Sequence, residues 1–409
     1  MNVSCFKCKG RGYCGREFCA VYAKAQSIFK AKPLLEKEEF FGSAPAPFVG
    51  HHGYPDLNVG ILSPGEVRDD AWEFDAPKYW AEKDYKIPRI IDLRSSLVNS
   101  RFKANIKHTS KYLEIAQLVG MSAKPVDIEF KLKKKPNFRL NFEAHAAPMG
   151  PNATIDKVQI TENPKIPGKI DKVVSDTDLK ANDAVVYLYK HGFDENRLSE
   201  LLSVGTLGVK ADRKLVPTRW SITATDNAIA KNLLETIRYN PQYDYAAYFG
   251  SYLGNYYLHL FFPEVWSYEL FETYVGKSVW HDSSSIDFMT DYEAFEGRKD
   301  YAEDCAGGYY AARLGVTEKL VEIKKQASVL TLRFITGEYA VPLGVWVVRQ
   351  ASRKSLSQKP IMFGSKELML NYARLIVKKK FGVDLDVILG QSKLLREMNN
   401  QRKLASFLS

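Results

Sequence analysis

Four cysteines within the first nineteen residues constrain this chain more than any other feature. Cys5, Cys8, Cys14 and Cys19 follow the frame C-x2-C-x5-C-x4-C. A segment that short has no core of its own, whereas four thiolates can close a tetrahedral site, so metal binding would supply its folding energy. Gly10, Gly12 and Gly15 give turn freedom between the ligand pairs, and Lys7, Lys9, Arg11 and Arg16 surround the site with positive charge. Zinc is the expected metal. An iron–sulfur cluster is the alternative, because thiolate-only ligation suits it equally well. Disulfides are disfavoured, since the start Met-Asn-Val-Ser-Cys lacks the basic head and apolar stretch of an export signal. Cys305 stands alone and reads as a buried, inert thiol.

At 409 residues the chain is long enough for two or more domains. With 45% apolar and 26% charged residues it is globular, and no apolar run approaches the ~20 residues that span a bilayer. A net charge of +10 permits a polyanionic partner without requiring one. Strand-rich and helix-rich stretches alternate irregularly, with no βαβ period. The expected class is α+β, a mixed multi-domain fold behind a small N-terminal four-cysteine metal module. The expected boundaries are a metal module at 1–30, a first domain at 31–285, a second at 286–390 and a helical tail at 391–409, with the break in Trp280–Ile286.

Along the chain, a helix is expected from Val21 to Phe29, ended by Lys32-Pro33. The glycines and prolines from Gly42 to Gly65 predict a loop without regular structure, in which His51-His52 form a turn with one solvated histidine. Ile90–Arg94 reads as a strand. Asp127–Lys133 and Phe138–Phe142 read as a hairpin whose Lys131, Lys133, Lys134, Lys135 and Arg139 face DNA or blunt a sheet edge. Strands are expected at Thr154–Ile160 and Lys169–Val174. Helices are expected up to Tyr189 and Leu202, the first capped by Asp176 or Asp178 and the second by Asp194. Tyr243–Tyr274 is dense in aromatics, as in a sheet core. Further on, Gly307–Arg313 and Thr317–Val329 look helical, and Val329–Ile335 and Leu343–Val348 look like strands. A last helix runs from its Ser365 cap to Gly382, with Leu368, Met369, Tyr372, Leu375 and Ile376 on one face.

Three stretches carry candidate chemistry. The loop from Gly205 to Asp226 holds Arg213, Lys214 and Arg219 and leads into a helix expected to start near Asp226, a place where free N–H groups and the helix dipole favour an anion. Trp220 in that loop either stacks on a base or sits half-buried in a core. The acidic run Asp287, Asp291, Glu293, Glu296, Asp300, Glu303 and Asp304 holds Mg²⁺ if its carboxylates converge. Glu293 and Asp300 are then the catalytic candidates of a metal-dependent nuclease; otherwise the run is an acidic surface joining two domains. Finally, Gln401, Leu404, Phe407 and Leu408 stand at i, i+3, i+6 and i+7. One helical turn makes them a three-pronged apolar plug beside an amide hook, each prong worth about 1.5–3 kcal/mol on burial. The pattern is that of a box that docks on the sliding clamp (PCNA). Gln391–Met398 begins the same way but places Glu397 where the aromatic belongs, and reads as plain helix.

Several unbroken strings resemble the archaeal Nre family of DNA repair proteins. They are Cys-Phe-Lys-Cys-Lys-Gly-Arg-Gly-Tyr-Cys-Gly-Arg from Cys5, Phe48-Val-Gly-His-His-Gly-Tyr-Pro, Pro148-Met-Gly-Pro, Val216-Pro-Thr-Arg-Trp-Ser-Ile-Thr-Ala-Thr-Asp226 and Pro342-Leu-Gly-Val-Trp-Val-Val-Arg349. The resemblance implies an N-terminal and a C-terminal Nre domain, a cytoplasmic role in the repair of damaged DNA and, in some members, a clamp-binding box. It implies no catalytic residue. A clamp-recruited DNA-processing enzyme and a non-catalytic DNA-binding adaptor therefore both stand.

Overall fold

The structure, a computed structural model, describes residues 11, 13, 19–138, 148–275 and 287–400. It divides into two compact units. The first runs to Ile229 and takes in Val341–Leu343; the second comprises Ala230–Ala340 and the chain from Gly344 onward.

The first unit contains α1 (Ala20–Leu35), β1 (Glu39–Ala44), β2 (Ala46–Val49), β3 (Asp56–Ser63), α2 (Pro77–Glu82), α3 (Ile87–Ser95), β4 (Val98–Asn105), α4 (Lys111–Met121), β5 (Val126–Leu132), β6 (Asn152–Ile160), α5 (Gly168–Ser175), α6 (Ala181–Lys190), α7 (Glu195–Ser203) and the start of α8 (Thr218–Ile237). Its sheet has the order β1-β5-β6-β4-β3-β2, antiparallel except for β4 beside β6. Alternation decides the faces. Leu57, Val59, Ile61, Val98, Phe102, Ile128 and Phe130 turn to one side, where α4 covers them with Leu113, Ala116 and Val119. The other side is polar, with Lys103, Lys131, Thr154 and Lys157 exposed.

Several sequence expectations are corrected here. The region around Gly42–Gly65 forms three strands, because its glycines fill places that a side chain cannot. A Cβ on Gly42 would lie 2.2 Å from the Pro64 carbonyl, and one on Gly60 1.8 Å from Asn99 Oδ1. Pro47 is tolerated since β2 is an edge strand. Ile90–Arg94 belongs to a helix, α3, where Ile87, Ile90 and Ile91 are buried at helical spacing. Lys169–Val174 is likewise helical, with Ile170 and Val173 buried three apart. Helix α1 carries Pro33 in its last turn and ends at Leu35, beyond the expected stop. β5 pairs with β1 and β6, while residues 139–147 of the expected hairpin lie outside the described residues. Asp194 caps α7 as expected, accepting from Arg197 N at 3.0 Å.

The second unit continues α8 and adds β7 (Ala246–Tyr252), β8 (Asn255–Phe262), β9 (Ser267–Tyr274), β10 (Asp287–Glu293), α9 (Ala306–Glu322), β11 (Ser328–Ile335), α10 (Val345–Leu356), β12 (Ile361–Met362), α11 (Lys366–Phe381), α12 (Asp386–Leu389) and α13 (Lys393–Asn400). Its sheet order is β10-β9-β11-β8-β7-β12, with β9 and β11 the parallel pair. Every residue of β11 is buried, as befits a central strand covered on both faces. The aromatic stretch builds this core, as its composition predicted. Leu343–Val348 is corrected to a helix start: Gly344 has φ +108°, and Val347, Val348, Ala351 and Ser355 are buried on the helix that follows. Ser365 caps α11 and Gly382 closes it in the left-handed region, but the buried face is Met369, Ala373 and Val377, with Leu368 and Leu375 exposed. Glu269 of β9 fixes the start of α13, accepting from Lys393 N at 2.9 Å and Leu394 N at 3.1 Å. Asn399 and Asn400 are the last residues of that helix.

Candidate functional site

Two separated strings meet in the first unit. The turn after β2 carries His51, His52 and Tyr54, with Gly53 at φ +87° where an added Cβ would approach the Asp56 carbonyl to 2.9 Å. Helix α8 begins eight residues earlier than expected, at Thr218, so Asp226 is a buried residue inside the helix and not its cap. Thr218 ties the two together: its Oγ1 accepts from Val49 N at 2.9 Å and lies 3.1 Å from Ser203 Oγ. The next two residues stand against the turn. Trp220 and Tyr54 are each about half exposed, with ring centroids 6.1 Å apart. The His51 and His52 rings lie 3.9 Å apart, and burial, followed by the charges of His52 and Arg219, holds His51 below its ordinary value. The two rings meet at an interplanar angle of 40°, His51 partly buried and His52 exposed. Arg219 has no hydrogen bond or ion pair among the described residues, and neither has the exposed Lys214.

The strings extend across the sheet. Phe48 pairs with Gly60, and Gly60 with Arg101. Asn99 donates to Met149 Sδ at 3.4 Å, and a Cβ on Gly150 would lie 1.9 Å from the Leu97 carbonyl, so the Pro148–Pro151 loop seats directly on backbone. Arg101 and Lys103 alternate along the polar face of β4. Neither has a hydrogen bond or ion pair among the described residues, and burial lowers the Arg101 value.

Arg213 is different. It donates to the carbonyls of Gly208 at 2.7 Å, Val174 at 2.8 Å and Asp176 at 2.6 Å, and so locks its own loop. Its guanidinium is engaged by three backbone carbonyls, in contrast to Arg219.

The acidic candidates do not converge. Glu293 is buried, its Oε2 2.6 Å from Arg313 Nη1 and its Oε1 accepting from Trp266 Nε1 at 3.1 Å. Asp291 is paired with Arg298 at 2.9 Å and accepts from Cys305 N at 2.8 Å. Asp300 is exposed. Among the described residues no three His, Cys, Asp or Glu side chains gather to hold a metal. The Mg²⁺ site expected from Glu293 and Asp300 is therefore not formed, because each buried carboxylate of the run already has its own arginine. Cys305 is buried, as expected, and burial pushes its thiol well up.

Of the four-cysteine module, Cys19 is described: its Sγ accepts from Tyr22 N at 3.4 Å at the start of α1. Cys5, Cys8 and Cys14 lie outside the described residues, as do Gln401, Leu404, Phe407 and Leu408.

One feature of the first unit escaped sequence reasoning. A cleft of about 390 Å³ is lined by Pro45, Trp72, Asp75, Tyr79, Asn196, Arg197 and Glu200, among others. Glu200 is 8% exposed, and burial, with Asp75 and Asp194 nearby, raises its carboxyl to about 8 against the pull of Arg197 and Arg94. A carboxylate set beside Leu198 and Leu201 in α7 was the available signal.

Fold and site together define a two-unit α+β protein with unpaired cations and exposed aromatics on one unit and no membrane-crossing helix among the described residues. The chain belongs to the archaeal Nre family: residues 13–281 match "Archaeal Nre, N-terminal" and residues 293–407 match "Archaeal Nre, C-terminal". It is 33% identical to the DNA repair protein NreB of Archaeoglobus fulgidus over 99% of this chain and 100% of that one. It is 36% identical to NreA of the same organism, over 93% of this chain and 95% of the relative. With the DNA repair protein NreA of Haloferax volcanii it shares 34% identity over 76% of each chain. No solved structure matches it.

Proposed function

We propose that this protein is a cytoplasmic, DNA-binding repair factor, brought to its substrate by the sliding clamp through Gln401, Leu404, Phe407 and Leu408. The observation that carries the DNA contact is the meeting of Arg219 and Trp220 with His51, His52 and Tyr54 at the start of α8. Unpaired guanidinium and helix N-terminus suit phosphate, and exposed aromatics suit an unstacked base. Arg101, Lys103 and Lys214 extend the positive surface. The relatives named as DNA repair proteins support the process, and the engaged carboxylates of the 287–304 run favour binding over metal-dependent cleavage. The four cysteines hold zinc, or alternatively an iron–sulfur cluster, and stabilise the N-terminal segment.

The test is DNA affinity against salt. Arg219→Ala lowers the salt slope by about one and weakens binding to all sequences alike. Trp220→Ala costs about 1–3 kcal/mol, most on single-stranded or damaged DNA. Unchanged affinity and salt slope in both variants would remove this surface from the function.

A further inference from the structure

The cleft of the first unit is walled by an aromatic side chain that the core does not use. Trp72 lies in the turn Ala71–Asp75, whose other apolar members, Ala71 and Phe74, are buried, yet Trp72 is 43% exposed. Tyr79 meets it edge-on, with centroids 4.9 Å apart, and braces the indole without covering it.

In the same cleft Glu200 is more than nine-tenths buried. Its Oε1 accepts from Asn196 Nδ2 at 2.9 Å, while Oε2 has no hydrogen-bond partner. Arg197 Nη1 donates to the Gly120 carbonyl and also forms an ion pair with Oε2 at 3.2 Å, without hydrogen-bond geometry. Of the other carboxylates lining the cleft, Asp75 is engaged by Arg94 at 2.6 Å and Asp194 by the backbone N–H of Arg197, while Glu82 is exposed, and no three such side chains gather to hold a metal among the described residues. The cleft is therefore no cation cage. It offers one flat aromatic wall and one buried carboxyl oxygen with unmet hydrogen-bonding capacity, a cost to the fold that a ligand can relieve. Its volume falls in the range of about 300–1,000 Å³ typical of small-molecule sites.

We propose that this cleft receives a single unstacked nucleobase, which stacks on Trp72 and is read at its hydrogen-bonding edge by Glu200 and Asn196. The proposal deepens the DNA-repair reading and rests on it for the source of the base. Position supports it. Strand β2 links the cleft, at Pro45, to the turn after Val49, a run of about 13 Å. Glu200 lies one helical turn before Ser203, whose hydroxyl touches Thr218 beside Arg219. A strand held at Arg219 thus reaches the cleft within a few base steps of about 3.4 Å.

The state of Glu200 makes the reading specific. A protonated carboxyl presents a donor and an acceptor side by side, which fits the ring nitrogen and amino group of adenine or cytosine. An ionised one presents acceptors alone and fits the two donors of guanine. Arg197 and Asp194 on its own helix segment, with Asp75 and Arg94, are the charges that set this balance.

The test uses the full chain, short duplexes that are fully paired or carry one bulged adenine or guanine, and free adenosine and guanosine. Expected is a preference of about tenfold for the bulged over the paired duplex, lost in Trp72→Ala while paired-duplex affinity is kept. Between pH 7 and 9 the wild-type preference shifts from bulged adenine toward bulged guanine. Glu200→Gln, whose amide keeps a donor beside an acceptor, holds the adenine preference at both pH values. Melting curves establish that both variants fold. Adenosine binding that needs Trp72, without any bulge preference, keeps the base pocket and assigns its ligand to a free nucleoside. Equal affinity for bulged and paired duplexes with no nucleoside binding overturns the proposal, as does a bulge preference that neither variant alters. In those cases paired-duplex binding lost in Arg219→Ala still upholds the DNA reading.

Discussion

Glu293→Ala separates a structural carboxylate from a catalytic one. In the wild type its Oε2 lies 2.6 Å from Arg313 Nη1, with the two side chains at 0% and 1% exposure, and its Oε1 accepts from the buried Trp266 indole at 3.1 Å. Removing the carboxylate leaves a buried guanidinium without its counter-charge. The Tyr309 and Tyr310 rings, with centroids 5.6 and 5.4 Å from the guanidinium carbon, do not replace it. Breaking such a pair from one side costs about 3–5 kcal/mol. For a unit of this size that lowers the melting temperature by about 10 °C. Glu293→Gln, which keeps an acceptor but loses the charge, falls between the two. Replacing both partners, as Glu293→Leu with Arg313→Met, recovers most of the loss because no charge remains buried. Thermal and urea unfolding followed by near-UV circular dichroism measures all three. A metal ligand behaves in the opposite way, since deleting one of several clustered carboxylates relieves repulsion and removes a divalent-ion response. A Glu293→Ala melting temperature within about 2 °C of wild type would refute the buried-pair account.

The remaining predictions concern pH, metal and tail. His259 is fully buried, with Thr331 Oγ1 2.9 Å from Nδ1, and burial pushes it from 6.5 down to about 3. The native chain keeps the ring neutral while the unfolded chain takes up a proton, so stability is lost as pH falls below 6.5. That loss is about 3 kcal/mol by pH 4.5, and His259→Asn flattens this limb in urea titrations at several pH values. Cys8→Ser loses the bound metal and loosens the N-terminal segment without unfolding the two units; an absence of zinc and iron from the native protein in metal analysis would dispose of the module. Phe407→Ala abolishes clamp binding in a pull-down or calorimetric titration and leaves melting temperature and DNA affinity unchanged.

What was legible in the sequence was local. Asp194, Ser365 and Gly382 announced helix ends because capping chemistry is carried by one residue and its near neighbours. The aromatic sheet was legible because eight-residue runs of buried side chains leave few alternatives. Errors arose where tertiary context decided. Ile90-Ile91 has strand propensity, but a helix buries Ile87 on the same stripe. The glycines of β1 and β3 read as loop formers, and only Pro64 and Asn99, brought in from neighbouring segments, show why glycine is needed in a strand. Arg213 and Glu293 look like ligand groups in one dimension. Two of the three carbonyls that hold Arg213 lie 37 and 39 residues away, and the arginine that holds Glu293 lies 20 away, which spacing alone cannot reveal.

The proposed nucleic-acid contact rests on charge that the first unit leaves unpaired beside exposed aromatics. In the second unit Arg313 pairs with Glu293 and Arg333 with Glu272, and the half-buried Arg298 and Arg353 pair with Asp291 and Glu318. Such pairs hold a fold together and contribute little field at a distance. In the first unit Arg101, Lys103, Lys214 and Arg219 have no counter-ion among the described residues, and they lie on the polar sheet face and at the start of α8. A chain of net charge +10 thus carries a usable part of its excess where two exposed aromatics and the cleft of Glu200 also lie. Unpaired cations attract a polyanion from solution, aromatics hold it once its bases are exposed, and a buried hydrogen-bonding group discriminates among them. That succession needs all three on one scaffold, and β2, lying between Pro45 and the turn of His51, supplies the shared element.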